Sequence, residues 1–207
     1  MKRSILVRLV AGIVVLVAMG GTWLSAGVVD LGWLKYFSGA VFVATALLGL
    51  WDTWIWRWPL VQRIPGVPPN LRGTWEGILT SFWVDPATGK SPDPKTVYLV
   101  IRQTASLVSA KLLTNESRSS SSLGSVTTID HSSELIYMYI NRPDARVEHR
   151  SRMHHGSTAL DVTSKPARRL RGRYWTDRDS KGELDFTRRK GRLADDFEAA
   201  VEVFKGA

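Results

Sequence analysis

From Leu9 to Val29 the chain runs through 21 consecutive residues without a charge. As a helix rising 1.5 Å per residue, such a stretch is about 30 Å long, the thickness of the hydrocarbon core of a bilayer. Lys2, Arg3 and Arg8 precede it. A secretory signal has the same basic start, but its apolar core usually spans only ~7–15 residues before a small-residue cleavage site. Ser25-Ala26-Gly27 could mimic such a site. A second apolar run, Tyr36–Trp51, follows directly after the short Asp30–Lys35 link. A stop-transfer partner so close predicts a retained hairpin of two membrane-spanning helices.

The second run has 16 uncharged residues; extended to Trp56 it has 21 and includes one charge, Asp52. Trp51, Trp54, Trp56 and Trp58 cluster at its end, four of the nine tryptophans in the chain. Indole rings favour the membrane–water interface, so this is an aromatic belt, and Asp52 falls at headgroup depth within reach of water. Lys2, Arg3 and Arg8 lie before the first helix, and Arg57, Arg63 and Arg72 after the second. The turn between them holds only Asp30 and Lys35. This distribution predicts that both ends face the cytoplasm. Ala40 and Ala44 form a small-xxx-small pair of the kind that permits close helix contact.

Composition narrows the rest. At 207 residues the chain allows one or two domains. It has no cysteine, which excludes a disulfide scaffold, a thiol nucleophile and any cysteine zinc site. Its net charge is +9, and its mean hydropathy of -0.09 averages a very apolar start with a polar remainder. Pro59, Pro65, Pro68 and Pro69 break the chain and stiffen it after the hairpin. The expected organisation is a transmembrane hairpin over 1–58, a Pro-rich linker over 59–70 and a cytoplasmic domain over 71–207.

The last segment alternates with period two. Strands are expected over Gly73–Trp83, Thr96–Gln103, Leu107–Leu113, Leu123–Ile129, Glu134–Ile140, Val147–Met153, Thr158–Thr163, Arg169–Thr176 and Glu183–Arg189, with Ser117–Ser122 a polar stretch of no defined structure. Eight or nine short antiparallel strands at regular spacing indicate an all-β barrel or sandwich. Leu193, Phe197, Val201 and Phe204 recur at helical spacing, so a short amphipathic helix closes the chain and is placed as a cap on the barrel. Gly73-Thr74-Trp75 resembles the Gly-x-Trp of lipocalin-like barrels, in which the Trp plugs the closed end and a late Arg packs on it. Arg188 or Arg189 could take that part.

Little in this sequence suits catalysis. His154-His155 are adjacent, so on a strand they point to opposite faces and cannot easily share one ion. There is no nucleophile elbow in Ser119–Ser122, no Walker loop and no dinucleotide fingerprint. The chain reads as a non-enzyme without catalytic residues, metal or cofactor. Arg169, Arg171 and Arg173 alternate with Leu170, Gly172 and Tyr174, which reads as a solvated basic face beside an anionic leaflet. The basic charge also suits nucleic acid, but a membrane tether and the lack of a base-reading motif argue against a polymer partner.

The inward face is more informative. It continues from Tyr174 to Thr176 and Arg178, from Ile101 to Gln103, and through Leu135, Tyr137 and Tyr139, although Ile136, Met138 and Ile140 leave the facing of that strand open. Polar and aromatic residues thus gather towards one end. A mouth of this kind fits an anionic, aromatic small molecule: tyrosines stack on bases and Arg178 pairs with phosphate. The alternative is that the tyrosines fill the core and Arg178 belongs to the turn surface.

The phrases LRGTWEG, YLVIRQ, YMYIN, HHGSTAL and LRGRYWTDRDSKGEL, with two N-terminal spans and a Pro-rich spacer, resemble the SMODS-associated two-transmembrane, β-strand-rich effectors of bacterial CBASS antiphage systems. The resemblance covers essentially the whole chain. It implies a minimal STING-like β-barrel receptor for a cyclic dinucleotide made by a cognate nucleotidyltransferase. It further implies homo-oligomerisation on activation and disruption of the inner membrane, killing the infected cell. Gln103, Tyr137, Tyr139, Tyr174, Thr176 and Arg178 are the expected ligand-binding residues, assigned by strand parity. Two other classes stay open: a membrane-anchored lipocalin-like binder of a lipid or other hydrophobic ligand, and a structural subunit of an envelope complex.

Overall fold

The computed structural model describes residues 11–12, 14–16, 19–21, 23, 33–86, 88–129, 132–149, 151–178 and 180–205. The chain forms two compact units, one of Met1–Val67 with Thr104–Ser106 and one of Pro68–Gln103 with Leu107–Ala207.

In the first unit, the helix Trp33–Thr53 has 21 residues and leads into two 3-10 turns, Ile55–Arg57 and Val61–Arg63. The stretch Ser38–Arg57, 20 residues with a mean hydropathy of 1.3, is long and apolar enough to cross a membrane, and among the described residues it is the single such stretch. The Thr45 and Thr53 hydroxyls donate to the carbonyls of Val41 and Gly49 one turn back, so neither needs water. Ala40 and Ala44 are buried while Phe42, Leu47 and Leu50 are exposed, which places the small pair on the sheltered side. Trp54 and Trp58 meet edge to face at 5.5 Å. Of the first expected span, Leu9–Val29, residues 11–12, 14–16, 19–21 and 23 are helical, and the rest lies outside the described residues, as does Asp30.

The second unit is a closed barrel of eight strands. They are β1 (Gly73–Ser81), β2 (Lys95–Gln103), β3 (Val108–Leu113), β4 (Ser117–Ile129), β5 (Ser132–Pro143), β6 (His154–Thr163), β7 (Arg169–Thr176) and β8 (Lys181–Lys190). Each runs antiparallel to the next, and β8 returns to pair with β1, so no edge is left unpaired.

Two local expectations are corrected. Ser117–Ser122 is part of β4, not an undefined stretch. At the irregularity between Ser121 and Leu123, the Ser121 hydroxyl accepts the Ala110 N–H at 2.9 Å, a side-chain bond beside the ladder. Val147–Met153 is not a strand. Pro143 ends β5, and the Asp144 carbonyl accepts the Val147 N–H at 2.9 Å to form the 3-10 turn Ala145–Val147. The strand count is therefore eight.

Period-two patterning fills the interior with Trp75, Leu99, Ile101, Leu135, Leu160, Leu170 and Phe186. Each fully buried large side chain contributes roughly 1.5–3 kcal/mol. On β5 the facing left open resolves with Leu135, Tyr137 and Tyr139 inward and Ile136 and Met138 exposed.

One end of the barrel is plugged. The Trp75 indole N–H donates to the Leu71 carbonyl at 2.8 Å. Arg189, not Arg188, lies over the Trp75 ring at 5.2 Å and donates to the carbonyls of Asn70 and Arg72 at 2.8 and 2.7 Å. Arg188 instead pairs with Glu76 and lies over Phe204. The C-terminal helix Phe197–Lys205 does not cap the barrel. Phe204 and Ala200 pack with Tyr98 and Val100, the outward residues of β2, in a second apolar cluster. The basic face is also less basic than expected. Arg169 and Arg171 form diagonal cross-strand ion pairs with Asp185 and Glu183 of β8.

Candidate functional site

The open end of the barrel holds a cavity of about 220 Å³. It lies among the last residues of the odd strands and the first residues of the even ones, opposite the Trp75 plug. Five of the six residues expected to bind ligand line it: Tyr137, Tyr139, Tyr174, Thr176 and Arg178. The sixth does not. Gln103 ends β2 at the plugged end, where its carbonyl accepts the Leu71 N–H at 2.7 Å and its amide donates to Pro69 at 3.0 Å. Parity put Gln103 on the inner face correctly, but β2 enters the barrel at the cavity end and leaves it at the plug. Its role is to tie down the segment that carries the plug.

The three tyrosines differ in depth. Tyr137 is almost fully buried, and its hydroxyl makes no hydrogen bond of good geometry. Burial pushes its pKa up to about 12, opposed by the neighbouring Thr158 hydroxyl. Tyr139 stands 6.0 Å from Tyr137, ring centre to ring centre, and burial raises it further, with the neighbouring Tyr137 adding to the shift. Tyr174 is raised by burial and eased by the Ser81 hydroxyl. All three therefore remain neutral phenols at physiological pH, able to donate a hydrogen bond without repelling an anion.

Glycines make room for two of these rings. Tyr139 faces Gly156 across the β5–β6 pair, and Tyr174 faces Gly182 across β7–β8. A side chain at Gly156 would collide with the Tyr139 ring, and one at Gly182 with Tyr174 and the Thr80 carbonyl. The bare backbone at these two points lets the rings lie along the wall and leaves the cavity open.

At the mouth, Arg178 is exposed; its Nη1 donates to the Arg152 carbonyl at 3.2 Å, and among the described residues it makes no ion pair. The Thr176 and Ser180 hydroxyls bond each other at 2.8 Å below it, and Thr176 also accepts the Arg178 N–H at 3.2 Å. Lys95 is already committed to Glu116 at 3.0 Å. Arg178 is thus the mouth cation most available to an incoming anion.

Several polar residues lining the cavity were not foreseen, three of them in one row. Ser119, Asn141 and His154 form one cross-strand row on β4, β5 and β6. The inward parity of Leu135, Tyr137 and Tyr139 reaches Asn141 when extended by one step, and that of Leu160 and Thr158 reaches His154. The expected strands stopped short of both. Ser119 lay in the serine stretch read as irregular. The His154 Nδ1 contacts the Arg152 carbonyl at 3.0 Å. Burial holds its pKa below the usual histidine range, against the pull of that carbonyl, and nearby Arg178 lowers it further. Among the described residues, no group of three or more His, Asp or Glu could hold a metal ion.

Apolar walls, phenol rings, a polar row near the rim and a cation at the entrance suit a ligand that is both aromatic and anionic. Comparison with known proteins leads the same way. The family model described as Cap15, cyclic dinucleotide receptor domain, matches residues 67–188. A similar protein, the CD-NTase-associated protein 15 of Staphylococcus schleiferi, is 28% identical over 160 residues, which is 77% of this chain and 82% of that protein.

Proposed function

The chain belongs to the Cap15 cyclic dinucleotide receptor domain family, and on that premise we propose that its barrel is the sensor of a CBASS antiphage effector. A cyclic dinucleotide made by a cognate nucleotidyltransferase enters the open end of the barrel. Arg178 meets a phosphate, Tyr139 and Tyr174 flank a base, and Thr176 supports the loop that carries Arg178. Tyr137 offers its hydroxyl from below. The observation that carries this reading is the cavity, whose end is aromatic and polar and whose mouth holds an exposed arginine with no ion pair among the described residues.

The effector part completes the proposal. Segment 1–58 forms two spans of the bacterial inner membrane with both termini cytoplasmic, 59–70 is the linker, and 71–207 is the receptor. Ligand binding favours self-association, and the gathered helices disrupt the bilayer and kill the infected cell. This requires the ligand to bind the assembled state better than the free one; equal affinity would shift nothing. The apolar run of Ser38–Arg57 supports the membrane assignment. No catalytic step is needed.

Leu79, Leu112 and Leu184 also line the cavity, which favours the second reading, a lipocalin-like carrier of a lipid. The two readings separate at Arg178. Full-length protein in detergent is titrated calorimetrically with cyclic dinucleotides and with extracted lipids. Arg178→Ala should weaken a cyclic dinucleotide about tenfold or more, the worth of a charged hydrogen bond, and leave lipid binding unchanged. Binding of lipid alone would reject the receptor reading.

A further inference from the structure

The outer wall of the barrel is covered on one side and bare on another. On β2 the outward Tyr98 and Val100 lie beneath the C-terminal helix. On β4 and β5 the outward Leu123, Ile136 and Met138 remain 67%, 40% and 53% exposed. Leu123 and Met138 are direct cross-strand partners, so the three side chains form one patch. Its neighbours are small and uncharged. Ser125 faces Ile136 on one side, and Ser157 and Ala159 face Met138 and Ile136 on the other.

The charges sit at the two ends of this patch. Along β5, Glu134 lies four residues before Met138 and Arg142 four residues after it, about 13 Å each way. Glu134 faces Asp161 across β5–β6, and Arg142 faces Arg118 across β4–β5. Like charges directly opposite each other weaken a sheet. Among the described residues none of these four forms an ion pair. Asp161 also faces Arg171, but that arginine is paired with Glu183. The patch is therefore acidic at one end, basic at the other and apolar between.

Such a surface is complementary to itself turned around. A two-fold axis through Met138, lying across the strands, sets β5 of one copy antiparallel on β5 of another. Each Arg142 then meets the Glu134 of the other copy, and the apolar centres meet each other. An axis along the strands would instead set arginine on arginine.

We propose that this face, the outside of β4–β6 centred on Met138, is where a second copy of the chain docks on activation. The inference rests on the self-association in the reading above and gives it a surface and an orientation. The link to the ligand is β5 itself. Its inward Tyr137 and Tyr139 line the cavity and alternate with the outward Ile136 and Met138. A ligand held by those rings steadies the strand that carries the patch. Three strands of a curved wall make a small contact, of the size that transient pairs use, under about 1,200 Å². Confinement to one membrane supplies the effective concentration that so small a contact needs.

The chain has no cysteine, so Met138→Cys supplies a single thiol at the axis. Full-length protein carrying it is reconstituted in liposomes with cyclic di-GMP, cyclic di-AMP or cyclic di-UMP. It is then treated with a bis-maleimide about 10 Å long, the spacing of packed sheets. A ligand whose binding raises the melting temperature should give cross-linked dimers, and a thiol placed instead on β3 by Ser109→Cys should give few. Adding Glu134→Arg or Arg142→Glu should each cut the dimer about tenfold, because both symmetric contacts turn repulsive. Neither should lower the melting temperature, since each relieves a like-charge pair within the sheet. Mixed together, the two reversed proteins should cross-link to each other as well as the parent does, because every contact again joins opposite charges. Three results would overturn this docking face and leave the receptor reading intact: undiminished dimers in the reversed proteins, no recovery in the mixture, or a Met138→Cys protein that binds ligand without cross-linking. A folded protein that binds none of the three ligands overturns both.

Discussion

Tyr137 carries a cost that folding alone does not explain. Its hydroxyl is buried without a partner of good geometry, and a phenylalanine would fill the same space. An unsatisfied buried hydroxyl costs about 1–3 kcal/mol. Tyr137→Phe should therefore raise or preserve the melting temperature and yet weaken cyclic dinucleotide binding; a loss of stability together with unchanged affinity would make Tyr137 a structural residue. The same burial sets a pH dependence. The folded value of about 12 lies above the ordinary 10 of a free tyrosine. A raised pKa gives stability that is complete below pH 10 and is lost as pH rises towards 12. Thermal melts across pH 9–12 should show wild type losing stability faster than Tyr137→Phe. At this scale the sequence was partly legible. Tyr174, Thr176 and Arg178 follow from the period-two alternation of β7, whereas Tyr137 and Tyr139 do not, because Ile136, Met138 and Ile140 make both faces of β5 apolar. Gln103 does not, because alternation says nothing about which end of the barrel a residue occupies.

The strands and their ends divide the barrel into a plug and a cavity, and each should respond to its own substitutions. Gln103→Leu leaves the Leu71 N–H and Pro69 carbonyl unpaired in a buried setting. It should destabilise the barrel by about 2 kcal/mol, read as a lower melting temperature, with no change in affinity for the cyclic dinucleotide. A fall in affinity at full stability would return Gln103 to the binding site. At the other end, Gly156→Ala forces Tyr139 off the wall and should lower affinity at least as much as it lowers stability. Most of the strands were legible because their apolar residues recur at every second position. Two elements were hidden for different reasons. The serines of β4 carry no apolar signal, and their strand exists because β3 and β5 flank it and complete its ladder. The Val147–Met153 segment alternates as a strand does, but Pro143 and the turn at Asp144 come first. The C-terminal helix was correctly read as amphipathic. Its target, the outward Tyr98 and Val100, could not be seen until β2 had a defined outer face.

For the whole molecule the account couples a signal at the barrel to an event in the bilayer. Under the proposed mechanism, the uncharged run Tyr36–Trp51, 16 residues long, thins the membrane around it, and gathered copies add their strain. Lengthening Tyr36–Trp51 by four leucines should then reduce toxicity in cells while ligand binding is retained; undiminished killing would count against that mechanism. The most direct test of the coupling is dye release from sealed liposomes that contain the purified full-length protein. Adding the cyclic dinucleotide that binds the barrel should release the dye, and neither the ligand on empty liposomes nor the Arg178→Ala protein with the same ligand should do so. Saturating ligand that shifts the melting temperature yet releases nothing would contradict the account, as would leakage that is equal with and without ligand.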